Sequence, residues 1–295
     1  MRSVLIVCRF SYQVIEPGTF NTMIALSSGT KPKAHKSHTN LTSTAKEVRR
    51  LDLASGRYAV NLATSRSEVE EALGLRYQVF NLELGQGLPE SALTKRDEDE
   101  FDQYCDHLIV RDLESLKVVG TYRLQTAEMA QRGAGFYSDR EFDLSMLPSA
   151  VLSDGIELGR ACIAAEARNT RVLFLLWSGL AQYLVVREKR YLFGCCSMTG
   201  TSPELANASL DLLNERGYLS GRPLISPRSG MGSEETVPGL QFDPRHLPPL
   251  FRAYLKNGAK ICSRPAIDRA FGTIDFLIVY DRRSGLGRFG QGEEI

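Results

Sequence analysis

Glu157-Leu-Gly-Arg160-Ala-Cys162-Ile163 is followed, from Thr170 to about Glu188, by a nearly unbroken apolar run. The first stretch reads as a buried strand carrying one acid and one base, and the second as a buried helix. A charged pair inside a sheet costs several kcal/mol of desolvation unless its geometry offsets it. Such a pair is an ion-pair staple or part of a working site. Glu157 and Arg160 are three apart, so they point to opposite faces of a regular strand. A bulge near Gly159 would bring both to one side.

Working outward, Tyr58 to Thr64 reads as a strand. Ser67 with Glu70 forms a capping-box pattern for a helix running to about Leu82. Leu88 to Glu100 is polar and acidic and reads as a mobile loop. Leu108-Ile-Val-Arg-Asp112 and Val118-Val-Gly-Thr-Tyr-Arg-Leu124 form a hairpin with its turn near Glu114 and Ser115. After the apolar helix, Tyr191 to Met198 is a second buried strand. Pro203 opens a helix ending near Gly217. Gly221 to Gly239 is loop. Pro248 opens a short helix to Asn257, with Gly258 as its C-cap. Thr273 to Tyr280 is a closing strand. Strands in antiparallel groups with helices between them indicate an α+β fold. Residues 1–50, rich in Ser, Thr, Lys and His from Ser27 onward, read as a disordered arm. Residues 51–283 form one domain, and 284–295 a flexible Gly-rich tail.

Composition excludes several classes. The 295 residues carry a net charge of +1, which argues against broad capture of nucleic acid. No stretch reaches the roughly 18 apolar residues that span a bilayer. Ser178, Gly179 and Gln182 interrupt the longest candidate. Cys8, Cys105, Cys162, Cys195, Cys196 and Cys262 include no CxxC pair, so neither a zinc site nor a redox motif is indicated. They read as reduced thiols of a cytoplasmic protein. The N-terminus lacks a clear signal-peptide cleavage pattern.

Three polar clusters fall on otherwise apolar structure. Arg76 and Phe80 share one face of the first helix. Asp102 and Asp106, with His107, precede a strand. Arg123 lies on one strand, and Glu157 with Arg160 on another. Each has a plainer reading: solvated charges for Arg76, Asp102 and Asp106, a structural ion pair for Glu157 and Arg160, hydrogen bonding for His107. The cysteines read as small core residues, and no order of Ser, Cys and His favours a covalent mechanism.

Four segments then occur in order: Arg76-x-x-Val-Phe80, an acidic stretch ending Tyr104-Cys-Asp-His107, Val118-Val-Gly-Thr-Tyr-Arg-Leu124, and Glu157-Leu-Gly-Arg160. This order resembles the acyl-homoserine-lactone synthase branch of the GNAT-like acyltransferases. It is closer still to the ornithine Nα-acyltransferases of ornithine-lipid synthesis and to the N-acyl amino acid synthases. Leu247-Pro-Pro-Leu-Phe-Arg-Ala-Tyr-Leu-Lys-Asn-Gly-Ala259 and Phe271-Gly-Thr-Ile-Asp-Phe276 are similar to that group as well. The resemblance spans about Tyr58 to Tyr280.

It implies a three-layer α/β/α GNAT-like fold with a mixed, mostly antiparallel sheet. It also implies transfer of a long-chain (3-hydroxy)acyl group from acyl carrier protein to the α-amine of an amino acid, ornithine foremost, giving a lyso-ornithine lipid. The donor is then a phosphopantetheine thioester, with no bound cofactor and no metal. One departure stands out. Acetyl-CoA-dependent members carry a Gly-rich loop before the central helix. Here Glu166-Ala-Arg168-Asn-Thr-Arg171 has no such glycines, which fits a carrier-borne donor rather than free CoA. Arg168 and Arg171, with Arg187, Lys189 and Arg190, would meet the carrier's acidic face.

On this reading the thioester lies between the strands at Glu157 and Tyr191, and Glu157 is the base or amine-orienting group. Arg160 and Arg123 hold Asp102 and Asp106, or bind the acceptor carboxylate. Arg76 and Phe80 shape the donor side, while Val172 to Val186 with Phe193 line an acyl tunnel. Three alternatives stay open: another acceptor amino acid, a homoserine-lactone synthase, and a non-catalytic carrier-binding module. Peripheral contact with the inner face of the membrane is compatible with a lipid product.

Overall fold

The computed structural model describes residue 51 and residues 53–87, 89–232 and 242–283. The arm expected over 1–50, the tail over 284–295 and part of the Gly221 to Gly239 loop lie outside the described residues. A nine-stranded sheet organises the chain in the order β1-β2-β3-β4-β5-β6-β9-β7, with β8 against β9. The strands are Leu53–Ser55 (β1), Tyr58–Leu62 (β2), Asp106–Asp112 (β3), Val118–Thr126 (β4), Gly155–Ile163 (β5), Tyr191–Thr199 (β6), Lys260–Ile261 (β7), Ala266–Asp268 (β8) and Thr273–Asp281 (β9). Every pairing is antiparallel except β5 with β6.

Four longer helices cover the sheet: Arg66–Tyr77 (α1), Thr170–Val186 (α2), Pro203–Glu215 (α3) and Pro249–Lys256 (α4). All nine residues of β4 are buried, so both of its faces are covered. Gly120 faces Val172 and Leu176 of α2. Alternation then places Tyr122 with Gly120, and Tyr122 meets Tyr254 of α4 through their hydroxyls at 2.5 Å. Arg123 points the other way, toward the acids that also bind Arg76 of α1. The fold is the three-layer α/β/α arrangement. Among the described residues, no helix is long and apolar enough to cross a membrane.

Three sequence expectations shift. The cap of α1 is Ser65 with Glu68, not Ser67 with Glu70. The pattern S-x-x-E occurs twice in Ser65-Arg-Ser67-Glu68-Val-Glu70, and β2 ends soon enough to select the earlier copy. The helix does not continue evenly to Leu82. It changes at Gln78–Glu83 into a π-helical turn, a form that often marks functional sites. The segment read as a mobile loop, Leu88 to Glu100, is anchored: Asp97 is 2 % exposed and is held by Arg76.

Candidate active site

β5 and β6 pair only over Gly155–Glu157 and Tyr191–Phe193, and then part. Where they part, a Cβ on Gly194 would lie 2.3 Å from the Leu158 carbonyl oxygen, so only glycine lets the strands start this close. The bulge expected near Gly159 is present. Arg123 opposes Gly159 and Thr121 opposes Cys162, leaving Arg160 and Ala161 across from Tyr122. Arg160 takes φ +50°, an unusual left-handed backbone for a residue with a Cβ. Surrounding contacts fix it there, as strained positions require.

The gap between the strands opens a cleft of about 280 Å³. Its polar lining includes Arg123, Glu157, Arg160 and Tyr137, and its apolar lining Phe80, Phe251, Tyr254, Met198 and Ile278. The π-helical turn brings Val79 and Phe80 to the cleft wall. No residue of α2 lines the cleft. The tunnel expected along Val172 to Val186 is instead core: Val172, Leu175, Leu176, Leu180 and Leu184 are buried in the main apolar cluster. Phe193 does reach the cleft.

Glu157 and Arg160 do not pair with each other. The Glu157 carboxylate accepts the backbone N–H of Tyr137 at 2.9 Å and of Ser138 at 2.7 Å. Burial pushes its pKa up, and these hydrogen bonds with the nearby Arg123 charge pull the other way. Arg160 instead meets Asp97 and Asp99, each at 3.4 Å, with its guanidinium over Phe271 at 4.5 Å and Tyr137 at 5.3 Å. Its Nε contact is an ion pair without hydrogen-bond geometry.

Arg160 belongs to a closed charge network. Arg76, 1 % exposed, donates Nε to Asp97 at 2.8 Å and Nη1 to Asp102 at 2.6 Å. Arg123 donates Nη1 to both oxygens of Asp99, at 2.6 and 2.7 Å, and to Asp102 at 3.3 Å. Three arginines thus balance Asp97, Asp99 and Asp102. Burial would raise the Asp102 carboxyl, but Arg76 and Arg123 overcome that and hold it far below the carboxylate range. Arg76 therefore anchors this network from beneath and does not line the cleft. Asp102 joins Arg123 as expected. Asp106 does not: it accepts from the Tyr183 hydroxyl at 2.8 Å and pairs with Arg187. His107 is buried, with Nε2 3.1 Å from the Asp102 carbonyl oxygen, a structural contact.

Of the cations expected to face a carrier, several are engaged internally. Arg168 grips Glu83, with Nη2 to Oε2 at 2.6 Å, and its Nε donates to the Ile163 carbonyl oxygen. Lys189 pairs with Glu128 and Arg190 with Asp281. Arg171 is exposed. The start of α2 is closed by Asn169, whose side chain accepts from the N–H groups of Arg171 and Val172 at 3.1 Å. Among the described residues, Cys162 and Cys196 are buried and Cys105, Cys195 and Cys262 partly buried, all as free thiols; burial raises Cys162 to about 12.

A second acid group was missed from sequence. Glu141, Asp268 and Asp275 line the same cleft, with carboxylate oxygens within 4.8 Å of one another. They come from three distant segments. One local signal existed: Asp275 is the sole charge within the apolar run Ile274-Asp-Phe-Leu-Ile-Val279.

Residues 75–178 match the acetyltransferase (GNAT) domain, and with the bulged and parted strands they define the class: an acyltransferase on the GNAT fold. The L-ornithine N(alpha)-acyltransferase of Rhizobium meliloti is 35% identical over 240 residues, 77% of this chain and 81% of that protein. The enzyme of the same name from Agrobacterium fabrum is 34% identical over 258 residues, 81% of this chain and 88% of that protein. The chain belongs to the L-ornithine N(alpha)-acyltransferase family. Among solved structures it is similar to an N-acyl amino acid synthase from uncultured soil microbes, at 10% identity and TM-score 0.42, covering 78% of this chain and 94% of that one.

Proposed function

We propose that this enzyme transfers a long-chain 3-hydroxyacyl group from acyl carrier protein to the α-amine of ornithine, giving a lyso-ornithine lipid. The observation that carries the reading is the cleft between β5 and β6, lined by a Glu157 carboxylate fixed by two backbone N–H groups and by apolar side chains. The acyl chain lies against Phe251, Tyr254 and Met198. The thioester sits where β5 and β6 part, because strand N–H groups released from the ladder there serve as oxyanion donors.

The acceptor amine attacks the thioester carbonyl, forming the C–N bond. The tetrahedral intermediate collapses with cleavage of C–S, and the pantetheine thiol leaves with a proton. The α-amine of a free amino acid is mostly an ammonium near neutral pH, so it must shed a proton to attack, which calls for a base. Glu157, poised by burial, takes the ammonium proton directly or through water. Arg160, facing the cleft beside Phe271, orients the acceptor carboxylate. Arg123 and Arg76 hold the network that fixes Arg160.

The capped, glycine-free start of α2 favours a pantetheine arm delivered by a carrier over a bound CoA pyrophosphate. Arg171 is the carrier-facing cation, and Arg168 braces the wall through Glu83. The product partitions into lipid, so the enzyme works in the cytoplasm against the inner face of the membrane. The test is incubation with 3-hydroxyacyl carrier protein and a panel of amino acids, read by lipid mass spectrometry. Glu157→Ala is expected to lower kcat by ~10²–10⁴-fold, the range of general-base contributions, while circular dichroism and melting show a folded chain. A lactone product, no product, or a folded Glu157→Ala enzyme with normal turnover overturns the assignment.

A further inference from the structure

Glu141 follows the short 3₁₀ turn Tyr137–Arg140, Asp268 ends β8 and Asp275 lies within β9. The protein satisfies each of these acids only in part. Asp268 Oδ1 accepts the backbone N–H of Ala270 at 2.8 Å and of Phe271 at 3.0 Å. Asp275 accepts the hydroxyls of Ser197 and Thr273. Glu141 is 3 % exposed, and its Oε2 accepts no hydrogen bond from any described residue. The Cys195 thiol and Tyr137 hydroxyl lie near that carboxyl without closing a bond on Oε2.

No ion pair among the described residues reaches any of the three carboxylates, although Arg160 stands close enough to lower Asp275 slightly. Burial, and then the charge of Asp275, hold Glu141 neutral up to about 9. Burial likewise lifts Asp275 to about 6. A buried acid group of this kind is relieved by a cation brought from outside.

We infer that Glu141, Asp268 and Asp275 form the subsite for the distal ammonium of the acceptor, selecting an amino acid with a short aliphatic side chain that ends in a primary amine. The inference rests on the reading that the acceptor is acylated at its α-amine beside Glu157. An –NH₃⁺ group carries three N–H donors, one for each carboxylate. A small divalent ion asks for six or more oxygens, and four donors of the protein already occupy lone pairs of Asp268 and Asp275. Spacing agrees. Ser138 donates to Glu157, and Glu141 follows it by three residues on a 3₁₀ turn. At about 2 Å rise per residue the backbone positions of Ser138, which holds Glu157, and Glu141 are on the order of 6 Å apart. With ordinary bond lengths, a three-methylene chain separates its two amines by a similar span, on the order of 5–6 Å.

The test compares ornithine with norvaline, which has the same carbon chain and no distal amine. Binding is measured by calorimetry, and kcat/KM with 3-hydroxyacyl carrier protein. Wild type is expected to prefer ornithine. Glu141→Gln and, separately, Asp268→Asn lower that preference by roughly 10- to 100-fold, the worth of a charge-assisted hydrogen bond. Asp268 is part-exposed and serves if the Glu141 variant does not fold. A preference kept by folded variants overturns the subsite and leaves the acylation reading standing. Acylation of no amino acid, with Glu141-dependent preference in binding, keeps the subsite and removes that reading. Equal binding of the two amino acids overturns the subsite. So does a Glu141-dependent rise in Tm with Mg²⁺, Mn²⁺ or Ca²⁺ in place of ornithine.

Discussion

Two acid groups, one behind the Arg123 and Arg160 of the cleft and the other lining it, differ in what surrounds them. Asp97, Asp99 and Asp102 sit among Arg76, Arg123 and Arg160, charge for charge. Glu141, Asp268 and Asp275 have hydroxyls, backbone N–H groups and each other. The first group is a finished structure, in which Arg76 and Arg123 hold Asp102 ionised. In the second, burial raises Glu141 and Asp275, a state that a ligand can change. Burial alone therefore does not separate a structural network from a binding site; charge balance does.

The largest expected effect lies in the balanced group. Arg76→Ala strands Asp97 and Asp102 beneath α1. Breaking a buried pair in this way costs ~3–5 kcal/mol. Tm should fall by about 10 °C at 2–4 °C per kcal/mol for a domain of this size, as read by calorimetry. A drop of only a degree or two would mean that the network does not hold the fold.

The unbalanced group should respond with the opposite sign. Glu141 has a folded pKa of about 9, against roughly 4.3 for an unperturbed glutamate. Between those values the folded chain binds more protons than the unfolded one, so its ionisation removes stability as pH rises. Glu141→Gln is expected to raise Tm by a few degrees at pH 8 in the ligand-free protein, with the gain fading toward pH 4. Asp102 runs the other way: its depressed pKa supplies stability above the unfolded value near 3.9, lost as pH falls through and below it. A Glu141→Gln variant less stable than wild type at pH 8 would erase the contrast between the two groups.

The smallest effect belongs to the exposed cation of α2. Arg171→Glu should raise KM for the carrier a few-fold, more at low salt than at high, and leave Tm within about a degree. A variant whose KM for the carrier does not move would shift carrier docking to another face.

Much of the architecture was legible along the chain. The hairpin of β3 and β4, strands β5, β6 and β9, and helices α2, α3 and α4 follow from apolar periodicity and from Pro and Gly at their ends. These signals are local, because the groups that terminate a helix or alternate across a strand are neighbours in sequence. The cap of α1 was misplaced by two residues because the local pattern repeats, and only the end of β2 distinguishes the copies. The bulge at Arg160 was readable as a possibility from Gly159, and its presence depends on β4 lying opposite.

The candidate site was half legible. Glu157, Arg160, Arg123, Phe80 and Asp102 do converge, and the plainer reading of Glu157 and Arg160 as an ion pair does not hold. Their partners are residues 137, 138, 97 and 99, which lie 19 to 63 positions away. By itself, the sequence determined which segments must be strands and helices, and that an acid and a base would be buried on β5, since burial follows from the apolar residues flanking them. Only the tertiary structure decided which charges meet. It closed three arginines on one set of acids and left Glu141, Asp268 and Asp275 without a base, because charge pairing depends on distance in space and the folded backbone alone sets those distances.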